Sequence, residues 1–166
     1  SYEAEIDDNN MAVKYAVSHQ SAIYHIEFKQ ADKPVYVMVN SRIGKIHADS
    51  KGISGYQQLS HNTRVFLYIE PEQVPVQTGI LVDGKVTEDQ TEAKGRNACA
   101  VWRFADGTQQ VNLRYGISFI SEEQAKNNLY REQSDYDLAA LASKGRDIWN
   151  KTLSKIAVKG GSEDDK

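Results

Sequence analysis

The sequence predicts a mainly all-β protein, an antiparallel β-sandwich carrying helices at its C-terminal end. Three observations lead there. Short runs with apolar residues at every second position recur through the first two thirds of the chain, as expected of strands that turn one face inward. Glycine, proline and Asp-Gly pairs interrupt those runs at short spacing. After Phe119 the apolar period changes from 2 to about 3.6.

Taken in order, Val13, Tyr15 and Val17 alternate with polar or small residues, and a His19-Gln20-Ser21 break leads into Ile23 through Phe28, where Tyr24, Ile26 and Phe28 share a face. This predicts a hairpin. Pro34 precedes Val35-Tyr36-Val37-Met38-Val39, a continuous apolar run of the kind buried on both faces. Gly44, Gly52 and Gly55 then predict turns or bulges between short strands, the clearest being Ile53 to Leu59. Arg64 to Glu70, ended by Pro71, and Val76 to Val82, closing on the turn pair Asp83-Gly84, are further strands. Residues 86–97 are polar and predict an exposed loop. Residues 98–104 and 111–119 flank Asp106-Gly107 and predict a tight hairpin.

The switch to helix is abrupt. Ser121 is a good N-cap, and Gln124 three residues on completes the pattern of a capping box for a short helix. Ser134 or Asp135 is positioned to cap a second, longer helix reaching about Leu153, with Leu138, Leu141, Gly145, Ile148, Trp149 and Thr152 on one stripe. A stripe of this kind requires something to lie against, and Trp149 is its natural anchor. Ile156 to Lys159 returns to an extended pattern.

With 166 residues the chain suits one domain able to bury a core without staples. Cys99, the single cysteine, sits in an apolar alternation and reads as a small buried hydrophobe. A net charge of -3 with both signs interspersed gives no footprint for nucleic acid or anionic membrane, and no run is long enough to span a bilayer. The opening SYEAEIDDNN is no ordinary initiator sequence; with the polar end GGSEDDK, it leads us to expect a piece of a longer protein.

Candidate chemistry is sparse. His19, His25, His47 and His61 lack metal-ligand spacing. Glu3, Glu5, Asp7 and Asp8, then Glu88, Asp89 and Glu92, form acidic runs that suit solvated surfaces, while Glu122 and Glu123 fall where they complement a helix N-terminus. The chain has no nucleophile elbow, phosphate-cradling glycine loop or dinucleotide fingerprint. Tyr56, Tyr68 and Trp102 are candidates for stacking sugar rings, against the competing reading that each packs inward from an alternating strand.

Residues 115–161 carry a more specific pattern. Gly116, Ile117, Ser118, Phe119 and Ser121 are followed by Ala125, Asn128, Leu129 and Glu132, then by Asp135, Tyr136 and Asp137, and finally by Trp149, Leu153, Ile156, Val158 and Gly160. The segment resembles the end of the N-terminal domain of glycoside hydrolase family 92, the exo-acting α-mannosidases. The start, Ser1 to Asp7, is similar to that family's entry into its sandwich, although residues 11–20 depart from the usual form.

The resemblance implies a galactose-mutarotase-like sandwich over residues 1–120, here a partial N-terminal domain, and a helical linker over 121–166 leading to an absent (α/α)6 catalytic barrel. It implies calcium-dependent, inverting exo-α-mannosidase activity in the full-length enzyme, and secretion or a periplasmic or outer-surface home in a bacterium. The family's early segments are missing from this chain, and its acid, base and calcium ligands belong mostly to the barrel. No catalytic or metal-binding residue carries over. Leu138, Leu141, Ile148 and Trp149 become candidates for the interface with the barrel, and mannose-containing glycans the expected substrate of the whole. An independent carbohydrate-binding module of a secreted or surface glycan-utilisation protein is the alternative.

Overall fold

The computed structural model describes residues 1–6, 11–29, 33–82, 85–88 and 90–155. The predicted turn at Asp83-Gly84, the extended stretch Ile156 to Lys159 and the acids Asp7, Asp8 and Asp89 lie outside them. Ten strands precede two helices: β1 (Tyr2–Ile6), β2 (Met11–Val17), β3 (Ser21–Phe28), β4 (Tyr36–Ala48), β5 (Ile53–Ser60), β6 (Thr63–Pro71), β7 (Gln77–Val82), β8 (Lys85–Thr87), β9 (Glu92–Arg103), β10 (Gln110–Ser118), α1 (Glu122–Glu132) and α2 (Leu138–Leu153). Together they bear out a mainly all-β chain with C-terminal helices.

The strands form one antiparallel sheet in the order β1-β2-β3-β10-β6-β5-β4-β9-β7-β8. β10 and β7 are five places apart in that order, a separation of roughly 24 Å in a flat sheet. Yet Val111 and Leu113 of β10 share one apolar cluster with Ile80 of β7 and Ala100 and Trp102 of β9. The sheet therefore curls over on itself and encloses its core between two layers, in the manner of a sandwich.

Local readings survive best where one pair of strands settles them. The β2–β3 hairpin forms with Tyr15 opposite Tyr24, closed by the Ser18 amide on the Ser21 carbonyl at 2.8 Å. A tyrosine ladder crosses the inner face of this region: Tyr2, Tyr15, Tyr24 and Tyr115 follow one another at centroid separations of 5.3, 5.3 and 5.8 Å.

The predicted hairpin across Asp106-Gly107 is wrong. A turn does form there, with Gly107 at φ 82 and the Thr108 amide on the Ala105 carbonyl, but its flanking strands go to different layers. β9 pairs with β4 and β7, and β10 with β3 and β6. Residues 104–109 are a crossover. A turn fixes only the local reversal; the alternating faces on either side are satisfied by any partner of matching pattern.

Two further expectations fail around β4. Residues 35–39 alternate rather than bury both faces: Val37 and Val39 turn inward while Tyr36 and Met38 are exposed. The strand runs on through the region expected to be turn-rich, because Gly44 and Gly55 mark close approaches between strands. A Cβ on Gly44 would lie 1.9 Å from the Tyr56 carbonyl oxygen, and one on Gly55 2.1 Å from that of Lys45. Only Gly52 sits in a turn, its amide and that of Lys51 held by the Asp49 carboxylate at 2.9 and 2.7 Å. Residues 86–97, expected to be a loop, instead supply the end of β8 and the start of β9, which pairs with Ile43 to His47 of β4. Their polarity reflects exposure, not absence of strand.

Candidate functional site

The helices lie on the outer face of the sheet, opposite the core. Gly116 of β10 makes the contact possible: a Cβ there would stand 2.3 Å from the Ala125 carbonyl oxygen and 2.9 Å from Leu129 Cβ, so α1 seats directly on bare strand backbone. Ala125, Asn128 and Leu129 are its buried residues. Asn128 Nδ2 donates to the Ile117 carbonyl at 2.9 Å, and Glu122 accepts from Ser54 of β5 at 2.7 Å. Ser121 caps the helix as expected, its hydroxyl accepting from the Gln124 amide at 3.0 Å. The Gln124 side chain donates through Nε2 to Asn128 Oδ1 at 2.8 Å, one turn further along the helix. Ser121→Ala should lower stability by about 1 kcal/mol in urea titration, the usual cost of a lost N-cap.

Where α1 ends, a charged junction ties it to the sheet. Arg114 of β10 donates to Glu70 of β6 through Nε at 3.1 Å and Nη2 at 2.8 Å, and through Nη1 to the Gln133 carbonyl at 3.0 Å. Both side chains are 13 % exposed. Tyr68 donates to Glu70 at 2.9 Å, Tyr130 donates to the same oxygen, and the Arg114 guanidinium lies 4.9 Å from the Tyr136 ring centre. Burial pushes the Glu70 carboxyl up, but hydrogen bonds from Tyr130, Arg114 and Tyr68 outweigh it and hold the group below the usual carboxylate range. Glu132 follows the same logic: burial raises it, and the Gln20 amide and Ser21 hydroxyl, at 3.0 and 2.9 Å, bring it below its ordinary value. Both carboxylates take part in hydrogen bonds that hold α1 against the sheet.

The second helix splits its stripe. It is capped by Asp137, whose side chain accepts from the Ala140 amide at 2.8 Å; neither Ser134 nor Asp135 is the cap. Leu138, Leu141 and Ala142 pack on Ala16 and Ile23 of the outer face, and Leu141 is 8 % exposed. One turn further the helix leaves the sheet. Ile148 is 51 % and Trp149 65 % exposed. With Val17, Leu141 and Gly145 they line a groove of about 410 Å³ edged by His19, Arg131, Glu132 and Lys144.

Of the three sugar-stacking candidates, Trp102 is corrected outright. It is 0 % exposed, with its indole N–H on the Asp49 carbonyl at 2.8 Å, and offers no ring face to a ligand. Tyr68 is covered by Tyr130 edge-on at 6.3 Å and by the Lys126 ammonium at 4.7 Å. Tyr56 carries the Arg64 guanidinium over its ring at 4.5 Å. Of the histidines, His25 bridges Asn112 and Glu27. Among the described residues no group of three His, Cys, Asp or Glu is placed to hold a metal, and no helix is long and apolar enough to cross a membrane.

The Arg114–Glu70 junction was missed from sequence. Each residue sits at an outward position of its strand, but what joins them is the pairing of β10 with β6, residues far apart in the chain. Their neighbours Glu132 and Tyr136 belong to the motif that carried the family resemblance. In the fold, these motif residues anchor the helices to the sheet.

Comparison with known proteins gives a consistent result. The model of the glycosyl hydrolase family 92 N-terminal domain matches residues 1–118. No curated protein matches the chain. Among solved structures, a family GH92 inverting mannosidase from Bacteroides thetaiotaomicron VPI-5482 superposes with a TM-score of 0.84 at 21% identity, covering 97% of this chain and 23% of its own. A family GH92 alpha-mannosidase from Bacteroides thetaiotaomicron does so with a TM-score of 0.84 at 18% identity, over 96% of this chain and 24% of its own. A further GH92 family glycosyl hydrolase gives 0.79 at 18% identity, over 91% and 22%. At such identities the likeness is one of fold, and the chain spans about a quarter of the length of these relatives.

Proposed function

The chain belongs to the glycosyl hydrolase family 92 N-terminal domain family, and from that premise we propose that it serves a larger exo-α-mannosidase as a non-catalytic supporting domain, braced against a catalytic barrel that follows it. The observation that carries this reading is the divided stripe of α2. Leu138 and Leu141 dock the helix on its own sheet, while Ile148 and Trp149 stay exposed, an apolar surface of the kind that marks an interface. The commitment of Glu70 and Glu132 to structural bonds supports a holding role as well.

Inverting glycoside hydrolysis requires two carboxyl groups about 6.5–9.5 Å apart with a water between them. A rigid support beside the barrel serves that geometry. We assign the site of the calcium expected of the whole enzyme to the barrel. Mannose-containing glycans are the proposed substrate of the parent protein, and secretion, the periplasm or the outer surface of a bacterium its proposed place. The test is hydrolysis of an aryl α-mannoside. The protein containing both this chain and the barrel should turn over and lose activity on chelation, whereas the 166-residue chain should stay at background; turnover by this chain alone overturns the proposal.

A further inference from the structure

Where β4, β5 and β9 meet, strand geometry opens a polar cleft that the supporting role does not use. β4 and β9 pair in one register from Tyr36 opposite Arg103 to His47 opposite Glu92, with one interruption, at Arg42 and Asn97. Before it Val37, Val39 and Ser41 turn inward; after it Gly44, Ile46 and Ala48 do so. The inward face therefore switches from odd to even positions at Arg42. Asn97, at φ 56, absorbs the matching reversal in β9.

β5 follows β4 only from Ala48 to Gly44, then continues along β6 alone. The two strands splay apart, and between them lies a cleft of about 660 Å³ lined by Arg42, Ile43, Gln57, Leu59, Arg96 and Asn97, with Gln58 at its edge. Beside the cleft Ser41 ties β4 to β5, donating to the Tyr56 carbonyl at 3.0 Å.

We propose that this cleft binds an anionic saccharide, a sugar bearing a carboxylate or a phosphate ester, with Arg42 and Arg96 holding the oxyanion. Among the described residues no carboxylate lines the cleft, and neither arginine has an acidic partner within 4.0 Å. A planar guanidinium presents paired donors that match such an oxyanion. Gln57 accepts the Arg42 amide at 3.3 Å through its carbonyl oxygen, which leaves its NH₂ group, with the Asn97 amide, for hydroxyls. Gln58 is spent on the β5–β6 turn and on Arg64. Exposed Ile43 and Leu59 offer an apolar surface for the C–H face of a ring. Amide donors, an apolar wall and a volume within the range of small-molecule sites favour a sugar acid over an acidic peptide. The inference stands apart from the supporting role, since none of the residues lining this cleft lines the groove beside the helix stripe.

Amide-resolved NMR titration of the 166-residue chain with mannose 6-phosphate and D-glucuronate tests it, with mannose, inorganic phosphate and a hexapeptide of alternating Asp and Glu alongside. At least one acid sugar should give saturable shifts at Ile43, Gln57, Leu59 and Asn97 that mannose and phosphate do not reproduce. Binding should weaken at least about tenfold in Arg42→Gln and in Arg96→Gln and with added salt, while Arg131→Gln leaves it unchanged. Both arginine side chains project to solvent, so unaltered spectra elsewhere will establish that the variants fold. Absence of saturable shifts, equal binding of phosphate alone, tighter binding of the acidic peptide, or indifference to both arginine variants overturns the proposal.

Discussion

Arg114→Met should destabilise the domain by about 3–5 kcal/mol at neutral pH, the range for removing one partner of a largely buried ion pair. The methionine fills much of the same space, so the loss is one of charge and hydrogen bonds. Glu70 keeps its two tyrosine donors but loses both guanidinium bonds, and the Gln133 carbonyl loses its donor. The pH dependence separates this from a packing defect. In the native protein Glu70 is held below its ordinary range, so its contribution is complete above the unfolded carboxylate value and is lost as the pH falls through the depressed one. Without Arg114, burial acts with less opposition and the carboxyl rises. The penalty of the variant should therefore shrink steadily as the solution is acidified, read as converging urea midpoints. A penalty constant between pH 7 and pH 3 would refute the charge argument.

Trp102→Ala should cost about 3–5 kcal/mol, as for other large aromatic truncations. Trp102 is enclosed by both layers, and its indole also holds the loop after β4 through the Asp49 carbonyl. Trp102→Phe should recover most of that loss, leaving about 1 kcal/mol for the missing hydrogen bond. The two tryptophans also give an optical check. With Trp149→Phe the remaining emission should be blue-shifted and shielded from iodide; with Trp102→Phe it should be red-shifted and readily quenched. Strong quenching of Trp102 would contradict its burial.

The features legible in the sequence are those decided within about ten residues. Alternation placed β2, β3, β5, β6, β7 and β10, and the Ser121 cap located α1, because each is set by neighbours along the chain. What escaped was partner choice. Gly44 and Gly55 read as punctuation, yet their role depends on carbonyl groups contributed by another strand. The Asp106-Gly107 turn was read correctly as a reversal and wrongly as a hairpin, since nothing local says which layer each arm will join. The same limit hid the Arg114–Glu70 junction, whose two halves acquire meaning only through β10 lying beside β6. The stripe on α2 was visible from its period alone, but which of its residues meet the sheet depends on β2 and β3, more than a hundred residues earlier in the chain.

The placement of β10 between β3 and β6 also governs the order in which the molecule can be assembled on a ribosome. Among the described residues β1–β3 and β4–β9 form two blocks that share no ladder, and β10, ending at residue 118, pairs with both. Until that strand leaves the exit tunnel, each block presents an unpaired margin to the cytosol or to the translocation machinery. Chains halted with β9 outside the tunnel and β10 (Gln110–Ser118) still within it should be captured by holdase chaperones, and release should coincide with emergence of that strand.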